Sequence, residues 1–464
     1  MTRRMRIASA LLVALVVVFG VAAPQAFAVQ TVWLDFNNVT WPTFAGKNAT
    51  DFEDGILAIV QADYAAYSYM TFTKIQPGGS THSQIEFSED FGLGSFGNAH
   101  LVDWDNKITD HNNIVRANNA AGSAIDVYVN GFKSNVYDDS FDNFTMAVGG
   151  TASHEFGHSL GLRHFDTYGP LTDAGNPNPQ ADHHIMATGS TGITGTDRTD
   201  YDRFWSEHSK DKLEYLDPAN QPSRKRNEIN TAPLSHAAIA TAEPLTINAA
   251  DALPLTGREV MVKVGAITGA ATGAFFETDF YEFSANMGDR IYANIFSARL
   301  SDDDGLTANP FAIDSVLNLY NPGGALVYTN DDIGYNSTSG ANPGIGDMEG
   351  DPGAGMTKDQ LLALNELIWA AGDVGDTPSS LDSPFTARSA DSILIDSPSG
   401  DFFTLNQAGN WYLEVATKTT GDTGIYELFV SIERTDVQDV IPEPATCALV
   451  GVGLIALLRR RRRK

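Results

Sequence analysis

His154-Glu155-Phe156-Gly157-His158-Ser159-Leu160-Gly161-Leu162-Arg163-His164 is the stretch on which the reading of this chain turns. On a helix, residues four apart differ by about 40° around the axis, so His154 and His158 share a face and their imidazoles can reach one ion. Val148, Ala152, Phe156 and Leu160 repeat at the same interval, offset by two residues, and predict a packing face roughly opposite. Glu155 falls at the edge of the ligand face, placed to hold a water rather than to bind the metal. Gly161 can end the helix in a left-handed conformation, after which the chain turns back and His164 can supply a third nitrogen. Three neutral imidazoles leave the fourth tetrahedral position for water, the arrangement of a catalytic rather than a closed zinc site. Zn²⁺ there lowers the pKa of bound water to about 7. Glu155 would act as general base, taking a proton as water attacks a carbonyl and passing it to the leaving amine. Two blander readings stand beside this one. The histidines can be coincidental on an ordinary helix, or they can hold a non-catalytic zinc, which would have no need of Glu155.

Working outward, this helix is expected to include Thr145 to Leu162. Thr31 to Phe36 alternates and reads as a strand; Asp51 is placed to cap a helix through Ala66, with Ile56, Ile59 and Val60 on one face. Tyr69 to Ile75 and Ser123 to Asn130 read as further strands. Residues 29–217 therefore form a first unit of mixed α+β type. Residues 218–245 hold Pro218, Pro222, Pro233 and Pro244 with the cluster Ser223-Arg224-Lys225-Arg226-Asn227, and read as a solvated linker or a site of proteolytic nicking. From 246 to 435 the character changes. Asp279 to Phe283, Arg290 to Phe296, Val316 to Tyr320, Gly324 to Tyr328 and Trp411 to Val415 are short β-rich runs separated by Gly, Asn, Asp and Pro, a spacing that predicts an all-β sandwich. The stretch Met356 to Ala371 reads as an inserted helix.

The two ends set the compartment. Arg3, Arg4 and Arg6, the apolar run Ala8 to Ala23 and the small-x-small triplet Ala26-Phe27-Ala28 predict a signal peptide over 1–28, the alternative being an uncleaved membrane helix. At 436–464, Pro442-Glu443-Pro444 precedes an apolar stretch, Ala445 to Leu458, and six basic residues, Arg459 to Lys464. A full span needs about 20 residues, so this stretch is short, and the basic cluster would stop transfer. The 464-residue chain has 30 basic and 58 acidic residues. With three basic residues in 1–28 and six in 459–464, and no acid in either segment, residues 29–458 keep 21 against 58, a net −37. So acidic a body repels phosphate backbones, which argues against nucleic acid as a partner. The single cysteine, Cys447, excludes an intrachain disulfide framework and a multi-cysteine metal site.

The motif His154, Glu155, His158, Gly161, His164 fills every position of HExxHxxGxxH, and on those residues the chain resembles the metzincin clan of zinc metallopeptidases, closest in spacing to its matrixin side. That resemblance implies a metzincin-like α+β catalytic domain, Zn²⁺ as cofactor, protein or peptide substrates and endopeptidase activity. It also implies a methionine in a tight turn beneath the zinc. Met186, in Ile185-Met186-Ala187 and 22 residues after His164, is the candidate. Some members use a tyrosine two residues beyond as an extra ligand; Thr188 stands there, so none is carried over. No cysteine latch of the kind many members keep in a pro-segment can be built from Cys447. Asp279-Phe280-Tyr281-Glu282-Phe283, Leu317-Asn318-Leu319-Tyr320 with Asn330-Asp331-Asp332, and Gly409-Asn410-Trp411-Tyr412-Leu413 resemble the pre-peptidase C-terminal type of sandwich. The tail resembles the PEP-CTERM sorting signal, which implies export to a bacterial envelope, surface or matrix, exosortase-type machinery as a partner, and a transient or permanent C-terminal membrane anchor.

Other residues offer ligand chemistry. His183 and His184 precede Met186 and read as loop residues near the cleft. His100 and His111, among Asp103, Asp105 and Asp110, offer a second structural metal site, with a solvated loop as the default. Ser301-Asp302-Asp303-Asp304-Gly305 and Asp331-Asp332 offer carboxylates of the kind Ca²⁺ prefers, without EF-hand spacing. Sequons open at Asn38, Asn48, Asn143 and Asn336 and are read as chance. The leading expectation is an exported zinc endopeptidase with Glu155 as base. The alternative is a catalytically inactive surface or matrix binding protein on the same fold. A lipid- or sugar-directed hydrolase has no serine-nucleophile elbow to support it: Gly157-His158-Ser159-Leu160-Gly161 fits Gly-x-Ser-x-Gly only within the HExxH helix, not on a strand-to-helix turn.

Overall fold

The computed structural model describes residues 30–78, 82–89, 96–99, 114–115, 121–122, 125–133, 140–162, 183–187, 197–200, 203–228, 235–247, 252–267, 271–272, 275–296, 315–330, 392–394, 402–417 and 424–435. The leader, the tail, His100, His111, His164, Thr188, the aspartates at 302–304 and 331–332, and the stretch 356–371 lie outside them.

The first unit is built on a five-stranded sheet. Its strands are β1 (Gln30–Asn38), β2 (Met70–Thr73), β3 (Ser83–Ser88), β4 (Gly97–Ala99) and, after a short hairpin of β5 (Ile114–Val115) and β6 (Ala121–Gly122), β7 (Ile125–Tyr128). The order is β2-β1-β3-β7-β4, parallel except for β4, which runs antiparallel along β7 at the edge. Central strands β1, β3 and β7 carry fully buried Val32, Leu34, Ile85, Phe87, Ile125 and Val127. Their spacing of two along each strand, with Leu34 beside Ile85 and Ile85 beside Ile125, places them on one face of the sheet.

Two long helices pack on this sheet. Helix α1 (Ala49–Asp63) begins one residue after Asn48, whose side chain accepts from the Thr50 and Asp51 amides while the Asp51 carboxylate accepts from the Asn48 N–H at 2.7 Å. This capping box corrects the expectation that Asp51 is the cap: it is the third helical residue, and the cap is Asn48. The buried stripe is Phe52, Ile56 and Val60, with Ile59 only partly covered. Short α2 (Val129–Lys133) leads to α3 (Phe141–Ser159), capped by Ser140 Oγ on the Asn143 amide at 3.1 Å. Val148, Ala152, Phe156 and Leu160 are all fully buried, as the offset repeat predicts. Val148, Phe156 and Leu160 each contribute roughly 1.5–3 kcal/mol by leaving water. The opposite face is covered too: His154 and Glu155 are each 8% exposed, so the helix is sandwiched rather than half-solvated.

Residues Asp197–Asp200 form α4, and Glu207–Tyr215 form α5. Then 218–245 departs from a solvated linker. Its described part contains α6 (Gln221–Arg224), β8 (Lys225–Asn227), which adds in parallel to a sheet of the second unit, and β9 (Glu243–Pro244), which adds to the other. The basic cluster docks for a physical reason. Arg224 is buried and donates to Asn220 O and Ala252 O, and Lys225 pairs with buried Glu427. Arg226 alone of the three remains exposed.

The second unit comprises β10 (Glu259–Ile267), the hairpin β11 (Ala271–Thr272) and β12 (Phe275–Phe276), β13 (Asp279–Ala285), β14 (Arg290–Phe296), β15 (Ser315–Tyr320), β16 (Leu326–Asn330), β17 (Ser392–Leu394), β18 (Phe403–Thr404), β19 (Gly409–Thr417) and β20 (Gly424–Glu433). One sheet runs β17-β14-β20-β10-β8 with β18 also on β14; the other runs β16-β15-β19-β13-β9. They face each other across Met261, Ile291, Ala293, Ile295, Leu428 and Val430 on one side and Tyr281, Phe283, Leu317, Leu319, Trp411 and Leu413 on the other. The first sheet is buried on its outer face as well. Val260, Val262, Tyr292, Phe296 and Phe429, alternating with the inward set, join Leu213, Tyr215 and Leu216 in the core of the first unit. His208 stacks on Tyr292 at 4.0 Å, and Arg258 Nε reaches the fully buried Asp211 carboxylate at 2.7 and 2.8 Å, which also accepts from Ser431 Oγ at 2.6 Å.

Candidate metal centre and catalytic carboxylate

The site begins with the end of α3. Gly161 has φ of +87°, its N–H bonds His158 O at 2.9 Å, and the Leu162 N–H bonds Gly157 O at 3.0 Å. This is the Schellman closure that glycine permits, and it reverses the chain directly after the histidines. Leu162 O is thereby brought 2.9 Å from His158 Nδ1. His154 Nδ1 lies 2.7 Å from Ile185 O. A carbonyl can only accept, so both rings carry their proton on Nδ1 and present bare Nε2 lone pairs.

Those two Nε2 atoms lie 3.1 Å apart, with the rings perpendicular. Two lone pairs facing at that distance repel unless a cation lies between them. Two nitrogens on a tetrahedral ion with bonds of about 2.05 Å stand about 3.3 Å apart. The pair therefore fits Zn²⁺ in donor type, tautomer and separation. His154, His158 and, from the sequence, His164 would hold it.

Glu155 is covered by the edge strand. A Cβ on Gly97 would meet Glu155 Cγ at 2.5 Å, so only glycine leaves room for this carboxylate beneath β4. Burial pushes the Glu155 carboxyl up to about 8; Arg198 opposes the rise, Asp126 adds to it, and a hydrogen bond from the Ala99 N–H opposes it. A divalent cation nearby would favour the ionised form needed of a base.

Met186 is 1% exposed, in a turn closed by Ala187 N–H to His184 O at 3.0 Å. A Cβ on Gly157 would sit 2.8 Å from its Sδ, so the thioether lies against the helix one residue before His158. The residue before it, Ile185, supplies the carbonyl that orients His154. His184 is buried against Phe204, with ring centroids 5.0 Å apart, and burial holds its pKa down at about 3, with Lys210 and His183 adding to the fall and Glu207 opposing it. It is thus a neutral packing residue.

The described residues bring together one further group with ligand chemistry, absent from the sequence reading. Glu228, His236 and Asp279 place ligand atoms all within 4.8 Å of one another. Nothing local announces it, since the three come from the end of β8, the strap between the units and the start of β13.

Residues 440–463 match the PEP-CTERM protein-sorting motif. Comparison with curated proteins finds no match. Among solved structures, PliG of Aeromonas hydrophila, a periplasmic inhibitor of g-type lysozyme, aligns at 12% identity over 41% of this chain and 96% of its own, with a TM-score of 0.18. That score is too low to carry an argument. The tail thus marks an exported protein sorted to the cell envelope, with a motif recognised by exosortase-type machinery.

Proposed function

We propose that this chain is an envelope-sorted zinc endopeptidase of metzincin type, in which His154, His158 and His164 hold the metal and Glu155 is the general base. The observation that carries the reading is the 3.1 Å approach of two Nε2 atoms whose Nδ1 protons are both committed to main-chain carbonyls. Bound zinc would supply a Lewis acid that makes water nucleophilic near neutral pH. The chain's own residues do the rest. Ile185 O and Leu162 O fix the tautomer and aim of the two imidazoles. Glu155 takes the proton of the attacking water and delivers it to the departing amine nitrogen. Met186 packs the turn that carries Ile185 against the helix. Ala99 and Gly97 hold and cover the Glu155 carboxylate, which keeps it out of bulk water.

Casein hydrolysis with and without a chelator tests this. Activity that is lost with the metal and restored by zinc supports it. A zinc-loaded protein that cleaves no protein or peptide leaves the binding-protein alternative in its place.

A further inference from the structure

We propose that Glu228, His236 and Asp279 form a second site for a zinc-class divalent cation, which fastens the strap between the two units to the margin of the sandwich. His236 is 2% exposed and its Nδ1 lies 3.3 Å from Phe280 O, an atom that can only accept. Nε2 faces Asp279 Oδ1, 3.2 Å away, a separation that holds one positive charge, a proton or a metal ion. The same arrangement recurs at His154 and His158, and it again calls for a positive charge between the two atoms. The second oxygen of each carboxylate is already committed. Asp279 Oδ2 accepts from Tyr426 O–H at 2.6 Å, and Glu228 Oε2 from the Ala266 N–H at 3.2 Å. Each acid thus keeps one oxygen for a shared ligand. One imidazole nitrogen with two carboxylates suits zinc or a similar borderline ion, and open positions would be completed by water.

Further acidic groups lie in the surroundings. Glu243 and Glu277 are buried nearby, and Glu243 is taken up by Lys263. Burial, with Glu277 and Glu243 adding, pushes Asp279 up to about 7 against the Tyr426 hydrogen bond. Burial and Asp279 push Glu228 up to about 6. Glu228 is the half-buried member of the three. The three ligands come from the end of β8 at the rim of one sheet, the strap, and the start of β13 in the other. One ion would therefore tie both sheets to the connecting segment. The site is independent of the peptidase reading, since none of its ligands belongs to α3.

The test is zinc stoichiometry of the full chain, by elemental mass spectrometry after dialysis and by calorimetric titration with zinc chloride. His158→Ala should leave about one equivalent bound. Adding His236→Gln or Asp279→Asn should remove it, and Glu228→Gln should weaken it by about tenfold or more. Should the buried variants fail to fold, Glu228→Gln decides, because its side chain is partly exposed. If the peptidase site binds no metal, wild type holds one equivalent, lost in His236→Gln and untouched by His158→Ala. A His158→Ala protein that binds no zinc, or a His158→Ala/His236→Gln protein that binds as much as His158→Ala, overturns the proposal; the cluster then holds a proton only.

Discussion

His154 and His158 sit one helical turn apart, whereas Glu228, His236 and Asp279 are gathered from three segments spread across 228–279. Both clusters use the same device, an imidazole whose Nδ1 is tied to a carbonyl so that Nε2 faces a shared point. Only the first is written in a helical repeat. A site whose geometry is imposed by one regular element can be read from spacing, and one imposed by sheet margins meeting cannot. The first site also depends on distant chain: Gly97 and Ala99, from β4, shape the environment of Glu155.

The largest expected effect separates the base from the ligands. Glu155→Gln should lower peptide hydrolysis by about 10²–10⁴-fold while zinc content stays at the parent level. Near-parental turnover in that variant would remove Glu155 from the chemistry. Next, Gly97→Val forces a branched side chain into the space of the Glu155 carboxylate. It should cost roughly 100-fold in kcat with the fold kept, as judged by circular dichroism. A silent Gly97→Val would show that the edge strand does not shape the site.

The junction of the two units gives the next effect. Asp211→Ala leaves buried Arg258 without its fully buried carboxylate partner and should cost about 3 kcal/mol in denaturant unfolding, with both units melting together. Two separate transitions in the wild-type chain would show that the shared core does not couple them.

The smallest effect is a pH term. Burial, with Lys212, Arg258, His184 and Arg290 adding, holds His208 well below the ordinary imidazole value. A histidine kept neutral when folded but protonated near 6.5 when unfolded loses stability as pH falls through and below 6.5. His208→Phe should therefore lose about 2 kcal/mol less than the parent between pH 7 and pH 5. Parallel pH curves for the two proteins would contradict this.

Much of the fold was legible where periodicity and burial agree. The offset repeat Val148, Ala152, Phe156 and Leu160 predicted the packing face of α3, and Gly161 its left-handed end. Arg290–Phe296 was read as a strand with the bounds it has. The misses have physical causes. Asn48 outcompetes Asp51 for the cap because its side chain reaches two amides while Asp51 returns the bond. Strands β10 and β20, the middle of their sheet, escaped notice because both faces are covered and no polar alternation marks them. The basic cluster at 223–227 looked solvated because its partners, Ala252 O and Glu427, lie far along the chain.

Strand β20 lies between β14 and β10, and its Ser431 hydroxyl donates to the Asp211 carboxylate of α5. It ends at Glu433, seven positions before the sorting motif begins at 440. During N-to-C transport across a membrane, the sheet that supports the first unit therefore lacks its middle until the chain has been threaded almost to the tail. Completion of the face that packs on α5 thus waits for the segment next to the sorting signal, an ordering set by strand topology.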